Sequence, residues 1–251
     1  MKLLDYPVLI FFVSFALLWL ANWVGSQLRA RRKDISEEGR PDFDIVLGAA
    51  LTLLGLVIGF SFSMAVGRYD QRKNYEEAEA NAIGTEYLRA DLLPEADGAR
   101  VRELLRRYLD LRIQHYRARN DDDLRRIDAD TAGVQGELWS ATSANVKEQQ
   151  PISVVTLTVG GMNDVLNSQG YTEAAWRYRI PGEAWVLLLV TAICCCLLFG
   201  FQARRVEPRL AIVLPLLVAI ALFLIADIDS PRSGVIRVHP QNLESLRDGL
   251  K

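Results

Sequence analysis

Four stretches of this chain carry no charged residue, and each is close to the length that crosses a lipid bilayer. They are Pro7–Gly25, Ile45–Gly67, Ala184–Phe201 and Leu210–Ala226. A hydrocarbon core of about 30 Å needs roughly 20 apolar residues in helical form. A soluble domain distributes its apolar residues in periodic stripes, whereas here they are segregated from the charges. The 29 basic and 31 acidic residues all lie between or outside these runs, and the formal net charge is −2. With no basic excess, a nucleic-acid partner is not expected. The partner this pattern requires is the lipid bilayer.

The first run is followed by Arg29, Arg31, Arg32 and Lys33, a stop-transfer flank, and is read as a retained span, not a cleaved signal. The second holds Gly48, Gly55, Gly59 and Gly67 together with Ser61 and Ser63. Small residues let helices approach closely in lipid, so this span is expected to make the tightest helix contacts and to be the best pore-lining candidate. Only eight residues, Gln202–Arg209, separate the third run from the fourth, which predicts an antiparallel hairpin. Cys194, Cys195 and Cys196 are contiguous inside the third run. Neighbours on a helix point about 100° apart, so these thiols do not converge on one metal. No metal or other cofactor is expected.

Between the second and third runs the pattern changes to amphipathic helix. Val101, Leu104, Leu105, Tyr108 and Leu111 recur at helical spacing, with Arg102, Arg106 and Asp110 on the polar side. Pro94 and Asp97-Gly98 separate this helix from the one before it. A further helix contains Leu124, Ile127, Leu138 and Trp139, and another comes after Pro151 with Val154, Val155, Met162, Val165 and Leu166. No proline or turn cluster lies between Met64 and Glu79, so the second spanning helix is expected to continue into the insert. The reading is an all-α membrane protein: four transmembrane helices with a large helical domain inserted between the second and third. Its parts are 1–67, two spans and their loop; 68–182, the polar insert; 183–227, the hairpin; and 228–251, the tail.

Enzyme constellations are missing. The two histidines, His115 and His239, belong to different regions, and no HExxH, GxSxG, P-loop or GxGxxG pattern occurs. The most distinctive segment is Ile58–Gly84, continued as far as Pro94. It contains Gly67-Arg68-Tyr69-Asp70-Gln71-Arg72, then Glu-Ala-Asn-Ala-Ile-Gly-Thr at Glu79–Thr85, then Leu88–Pro94. With the ending Asp227–Val238, these elements resemble the bacterial bestrophin-like family. That family is distantly similar to the bestrophin anion channels, and Gly59-Phe60 with Arg68-Tyr69 beyond it matches the bestrophin second helix in spacing. The resemblance implies a homo-oligomeric, pentameric ion channel with small anions as the permeant species. It also implies a bacterial cytoplasmic membrane location with the insert in the cytosol. The tyrosine after Arg68 is succeeded by Asp70 where bestrophins have a second aromatic residue. No acidic cluster comes after the fourth run, so the calcium clasp of the animal channels has no counterpart here.

By the same resemblance, Thr52, Leu56 and Phe60 are the neck or gate candidates. Residues at i, i+4 and i+8 share nearly one helix face, and a ring of such side chains gates by dewetting. Thr52 departs from the apolar pattern. The alternative is that Leu56 and Phe60 pack against other helices or lipid. Arg68, just beyond the apolar run, is the candidate for pore-mouth charge. Arg72 and Lys73 have Glu76 and Glu77 at i+4 as pairing partners. The basic residues flanking the spans divide eight and eight between the two sides, so charge does not choose an orientation. Two other classes stay open: a non-conducting membrane sensor or scaffold, and a stator-type, ion-driven energy-transducing subunit.

Overall fold

A computed structural model describes residues 6–31, 40–144, 151–202 and 211–250. The basic flank residues Lys2, Arg32, Lys33, Arg204, Arg205 and Arg209, and Leu210 at the start of the fourth run, lie outside them. The described residues are mainly helical, with no strand among them. The elements are α1 (Pro7–Arg31), α2 (Arg40–Arg89), a short 3-10 turn (Ala90–Leu92), α3 (Glu95–Arg117), α4 (Asp121–Ala144), α5 (Ile152–Arg177), α6 (Gly182–Gln202), α7 (Val213–Asp229) and α8 (Gln241–Gly249). The chain divides into two compact units. One comprises Met1–Tyr69 and Arg179–Arg237, the other Asp70–Tyr178 and Val238–Lys251. The division falls inside α2, a single 50-residue helix. Pro41 sits in its first turn, where a missing N–H costs nothing, and no proline occurs after it before Pro94.

Among the described residues, three helices are long and apolar enough to cross a membrane: Pro7–Arg31, Asp42–Leu92 and Ile152–Gln202. The apolar part of the last is α6. The fourth run appears as α7, 17 residues long and strongly apolar. In the apolar unit α1 packs against both α6 and α7, which meet each other only sparsely. The two arms of the expected hairpin are therefore separated by α1. Glycines explain the preference. A Cβ on Gly25 would overlap the carbonyl of Leu197, and one on Gly200 would overlap that of Asn22, so the two backbones touch at that end. Asn22 Nδ2 then donates to the Ala211 carbonyl at 2.8 Å, and Phe11 meets Phe223 edge to face at 6.2 Å. These pairings make α1 parallel to α6 and antiparallel to α7.

The polar unit packs as the stripes predict. Val101, Leu104, Leu105 and Tyr108 of α3 are buried, as are Ile127, Val134 and Leu138 of α4 and Met162 and Val165 of α5. Trp139 is exposed, one position round the helix from Leu138. Pro151 stands at the N-cap of α5. Removing such side chains from water stabilises by about 1.5–3 kcal/mol each.

Candidate functional site

The site expected on the second span depends on which way α2 faces. Within the apolar unit its inner side is Leu47, Leu54, Ser61 and Ala65, all buried, with Ala50, Leu51, Val57, Ile58, Val66 and Tyr69 partly covered beside them. The spacing has a 3.6-residue period. The opposite side carries Thr52, Leu56 and Phe60, with Gly48, Gly55, Gly59, Ser63 and Gly67 around them, all exposed. Leu56 is 54% exposed and Phe60 62%. Thr52, Leu56 and Phe60 therefore share one face over about 12 Å of helix rise. The Thr52 hydroxyl is spent on its own helix, donating to the Gly48 carbonyl at 2.9 Å.

The small residues of this span make no close contact within their own chain. A Cβ built on Gly48, Gly55, Gly59 or Gly67 would have nothing within 4 Å. Only 17% of the α2 apolar window is buried, against 33% for each of the other two candidate spans. The span richest in glycine is thus the one least covered by its own chain. The close contacts glycine permits are instead made by Gly25 and Gly200, which composition alone did not single out. At the end of the apolar run Arg68 is half-buried and has no hydrogen-bond or ion-pair partner among the described residues.

Beyond Tyr69 the same helix is held by buried charge. Arg72 donates to the Ala175 carbonyl at 3.3 Å and to the Tyr178 carbonyl at 3.4 Å, at the C-terminal end of α5 where the helix dipole favours a cation. The i+4 pairing expected for Glu76 is not its main use. One Glu76 oxygen accepts from the Asn242 and Leu243 amides at 2.9 and 3.0 Å, and the other from Asn242 Nδ2 at 2.6 Å. A carboxylate from α2 thus caps α8 across 166 residues of sequence. Glu79 and Arg112 form an ion pair with neither side chain exposed. Glu79 also accepts from Thr172 Oγ1 at 3.1 Å and from Tyr116 Oη at 3.5 Å. Burial alone would lower the Arg112 pKa, but the adjacent Glu79 carboxylate holds it above the usual range. Near Asn81, Ala80 is buried and Gly84 lies against Leu246 of α8.

Glu86 is different. It is fully buried, and neither of its oxygens has a hydrogen-bond partner among the described residues. Arg89 stands 3.7 Å away, and a Cβ on Gly161 of α5 would overlap the carboxylate. Burial pushes the Glu86 carboxyl up to about 8, with Arg89 opposing. In the apolar unit the two aspartates after the fourth run are also anchors. Asp227 accepts from the Val235 and Ile236 amides at 2.7 and 2.8 Å, and Asp229 accepts from the Ile180 amide at 3.1 Å. Gly234 is required because a side chain there would overlap the Asp227 backbone. Sequence reading missed these roles, since a buried carboxylate has no periodicity to betray it. Their only signal is position, at junctions where a chain returns.

No group of three or more metal-ligating side chains occurs among the described residues.

No curated protein matches the sequence. Among solved structures, the fold is similar to a bacterial bestrophin homologue from Klebsiella pneumoniae, with a TM-score of 0.68 at 14% identity, covering 95% of this chain and 96% of that one. A point variant of the Klebsiella protein also gives 0.68 at 14% identity, over 100% and 99% of the two chains. At such identity the likeness is one of fold. The sequence itself matches the description of the Bestrophin-like domain from residue 9 to residue 243, which takes in every apolar helix, the motif segment of α2 and the Asp227–Val238 ending, so the chain belongs to the Bestrophin-like family.

Proposed function

We infer that this protein is an oligomeric ion channel of the bestrophin kind, with α2 lining the pore. The observation that carries the reading is the exposed face of α2. A helix with Leu56 and Phe60 in the open and four glycines touching nothing within their own chain is built for surroundings the chain does not supply. Copies of the same face around a closed symmetry axis supply them. In that arrangement five copies of Phe60, Leu56 and Thr52 form a narrow, mostly apolar neck. Arg68, unpaired at the polar end of the run, gives the mouth a positive ring that concentrates small anions. The layout that goes with this has α7 as the fourth spanning helix and parts at 1–67, 68–182, 183–227 and 228–251. The protein lies in the bacterial cytoplasmic membrane, with the insert in the cytosol.

Bilayer recording of the reconstituted protein with ion substitution tests this. Removing large apolar rings wets a constriction in which an ion loses its hydration without replacement ligands. Leu56→Ala with Phe60→Ala therefore raises the current of a protein that still assembles. Arg68→Glu shifts the reversal potential toward cations. If Phe60 packs into a bundle, its loss costs roughly 3–5 kcal/mol and the double variant assembles poorly with no added current. Stable assembly with no current in either form favours the sensor or scaffold, and conduction that requires a partner helix favours the stator-type subunit.

A further inference from the structure

The two halves of α5 are tied to α2 in different ways. The C-terminal half is bound by complete hydrogen bonds: Thr172 Oγ1 donates to Glu79, and Arg72 donates to the Ala175 and Tyr178 carbonyls. The N-terminal half meets α2 at Glu86 and Arg89. There α5 presents Gly161, and the Glu86 carboxylate and the Arg89 guanidinium lie where a Cβ on that residue would stand. Arg89 Nη1 stands between two acceptors. It donates to the Leu157 carbonyl of α5 at 3.3 Å and lies 3.7 Å from Glu86 Oε2. Glu86 itself is fully buried, with neither oxygen partnered among the described residues. An ionised carboxylate so placed has lost its water without replacement, whereas a neutral carboxyl there loses far less. The charged groups facing it are Arg89 of its own helix, which favours the ionised form, and Asp164 of α5, which opposes it. Asp91, in the 3-10 turn that also packs on α5, is exposed and paired with Arg102.

We propose that Glu86 is a proton-operated latch on the N-terminal half of α5. With the proton on, the neutral carboxyl stays buried against Gly161, Arg89 holds the Leu157 carbonyl and Met162 keeps its burial. With the proton lost to bulk water, the carboxylate needs donors. It draws water and Arg89 Nη1 to itself, Arg89 leaves Leu157, and the segment Ile152–Asp164 lifts from α2. The bonds at Thr172, Ala175 and Tyr178 hold the far half in place, so the motion is a local opening and not an unfolding of the insert. The sign follows from burial, which raises the carboxyl from 4.5 to about 8 in the closed arrangement and releases it in the open one. Closure is therefore complete below 4.5 and is lost as pH rises through about 8.

Hydrogen–deuterium exchange of the full chain in detergent, between pH 5 and pH 9, reads the opening segment by segment once each rate is divided by its intrinsic value at that pH. Protection of Ile152–Asp164 falls by up to about tenfold per pH unit between 5 and 8 and levels off above, because opening releases one proton. At every pH it stays at least about tenfold below that of Val101–Leu109 in α3, which exchanges only when the whole unit unfolds. Glu86→Gln removes the slope in Ile152–Asp164. Wild-type protection of that segment that does not change with pH overturns the latch, because Arg89 or water then satisfies the carboxylate in place. Equal protection in the two segments overturns it as well, because the opening is then global. A slope that survives in Glu86→Gln belongs to another group and also overturns it. Where Glu86→Gln fails to fold, Gly161→Val gives the same decision. Its side chain takes the carboxylate's place, so Ile152–Asp164 is already open at pH 5, with low protection and no slope. A wild-type slope in Gly161→Val overturns the latch.

Discussion

Replacing Glu86 by glutamine removes a proton-linked cost from the polar unit, and the structure gives its size. Burial holds this carboxyl at about 8 against an ordinary 4.5. Between those two pH values the folded chain keeps a proton that the unfolded chain has released. The contribution of Glu86 therefore favours folding fully below 4.5 and is lost as pH rises through 8. Each pH unit in that window is worth about 1.36 kcal/mol, so the loss approaches about 3 kcal/mol by pH 7 and about 5 kcal/mol above pH 8. For a chain of this size about 1 kcal/mol moves the thermal midpoint by roughly 2–4 °C, so the wild type loses on the order of 5–10 °C from this group between pH 5 and pH 7. A buried amide has hydrogen bonds of its own to satisfy, which adds a penalty of about 1–3 kcal/mol at every pH. The readout is therefore the slope and not the height. Thermal unfolding by circular dichroism at several pH values, with the wild-type curve subtracted from that of Glu86→Gln, isolates the residue from every other titrating group. A difference that grows with pH between 5 and 8 is the expected result. Parallel curves refute the reasoning, because they mean that the carboxylate ionises in place with water or Arg89 satisfying it.

Two further substitutions probe the packing. Arg112→Met leaves Glu79 buried with only Thr172 and Tyr116 to satisfy it, a loss of about 3–5 kcal/mol seen as a lower unfolding midpoint. Adding Glu79→Leu recovers most of that stability if the pair is a matched burial rather than a functional charge. Gly200→Ala places a methyl group on the Asn22 backbone and costs about 1–3 kcal/mol, because a backbone carbonyl cannot swing aside. Gly136→Ala, with open space around it on an exposed face of α4, gains roughly 0.5–1 kcal/mol in the same unfolding assay.

The apolar runs and amphipathic stripes were legible in the sequence because helix formation and burial leave periodic traces. The uninterrupted passage of α2 from Met64 to Glu79 was legible too, from the absence of proline. What could not be read was partner choice. Gly25 and Gly200 differ in no local way from Gly55 and Gly59, yet the first pair meets a neighbouring backbone and the second pair meets nothing within its own chain. Close approach is a property of two helices, and one sequence window contains only one of them. The charges of α2 show the same limit. Arg72 and Glu76 have ideal i, i+4 spacing, and Glu76 nonetheless reaches amides 166 and 167 positions away, because a helix N-terminus offers several donors at once where a side chain offers one direction. On the open face of α2 the sequence supplied the alignment of Thr52, Leu56 and Phe60, and the structure added their exposure.

The capping of α8 by Glu76 also sets an order of events during synthesis. The carboxylate emerges early, whereas the amides it binds belong to Asn242 and Leu243, made only after both α6 and α7. At about 5–20 residues per second a ribosome takes on the order of ten to thirty seconds to cover that interval. Throughout it, the slot for Leu243 and the side of α2 at Gly84 that Leu246 will cover stand open to water and to other nascent chains. A product that stops before residue 238 keeps that slot open permanently, with the Glu76 carboxylate beside it lacking the amides that satisfy it in the finished chain.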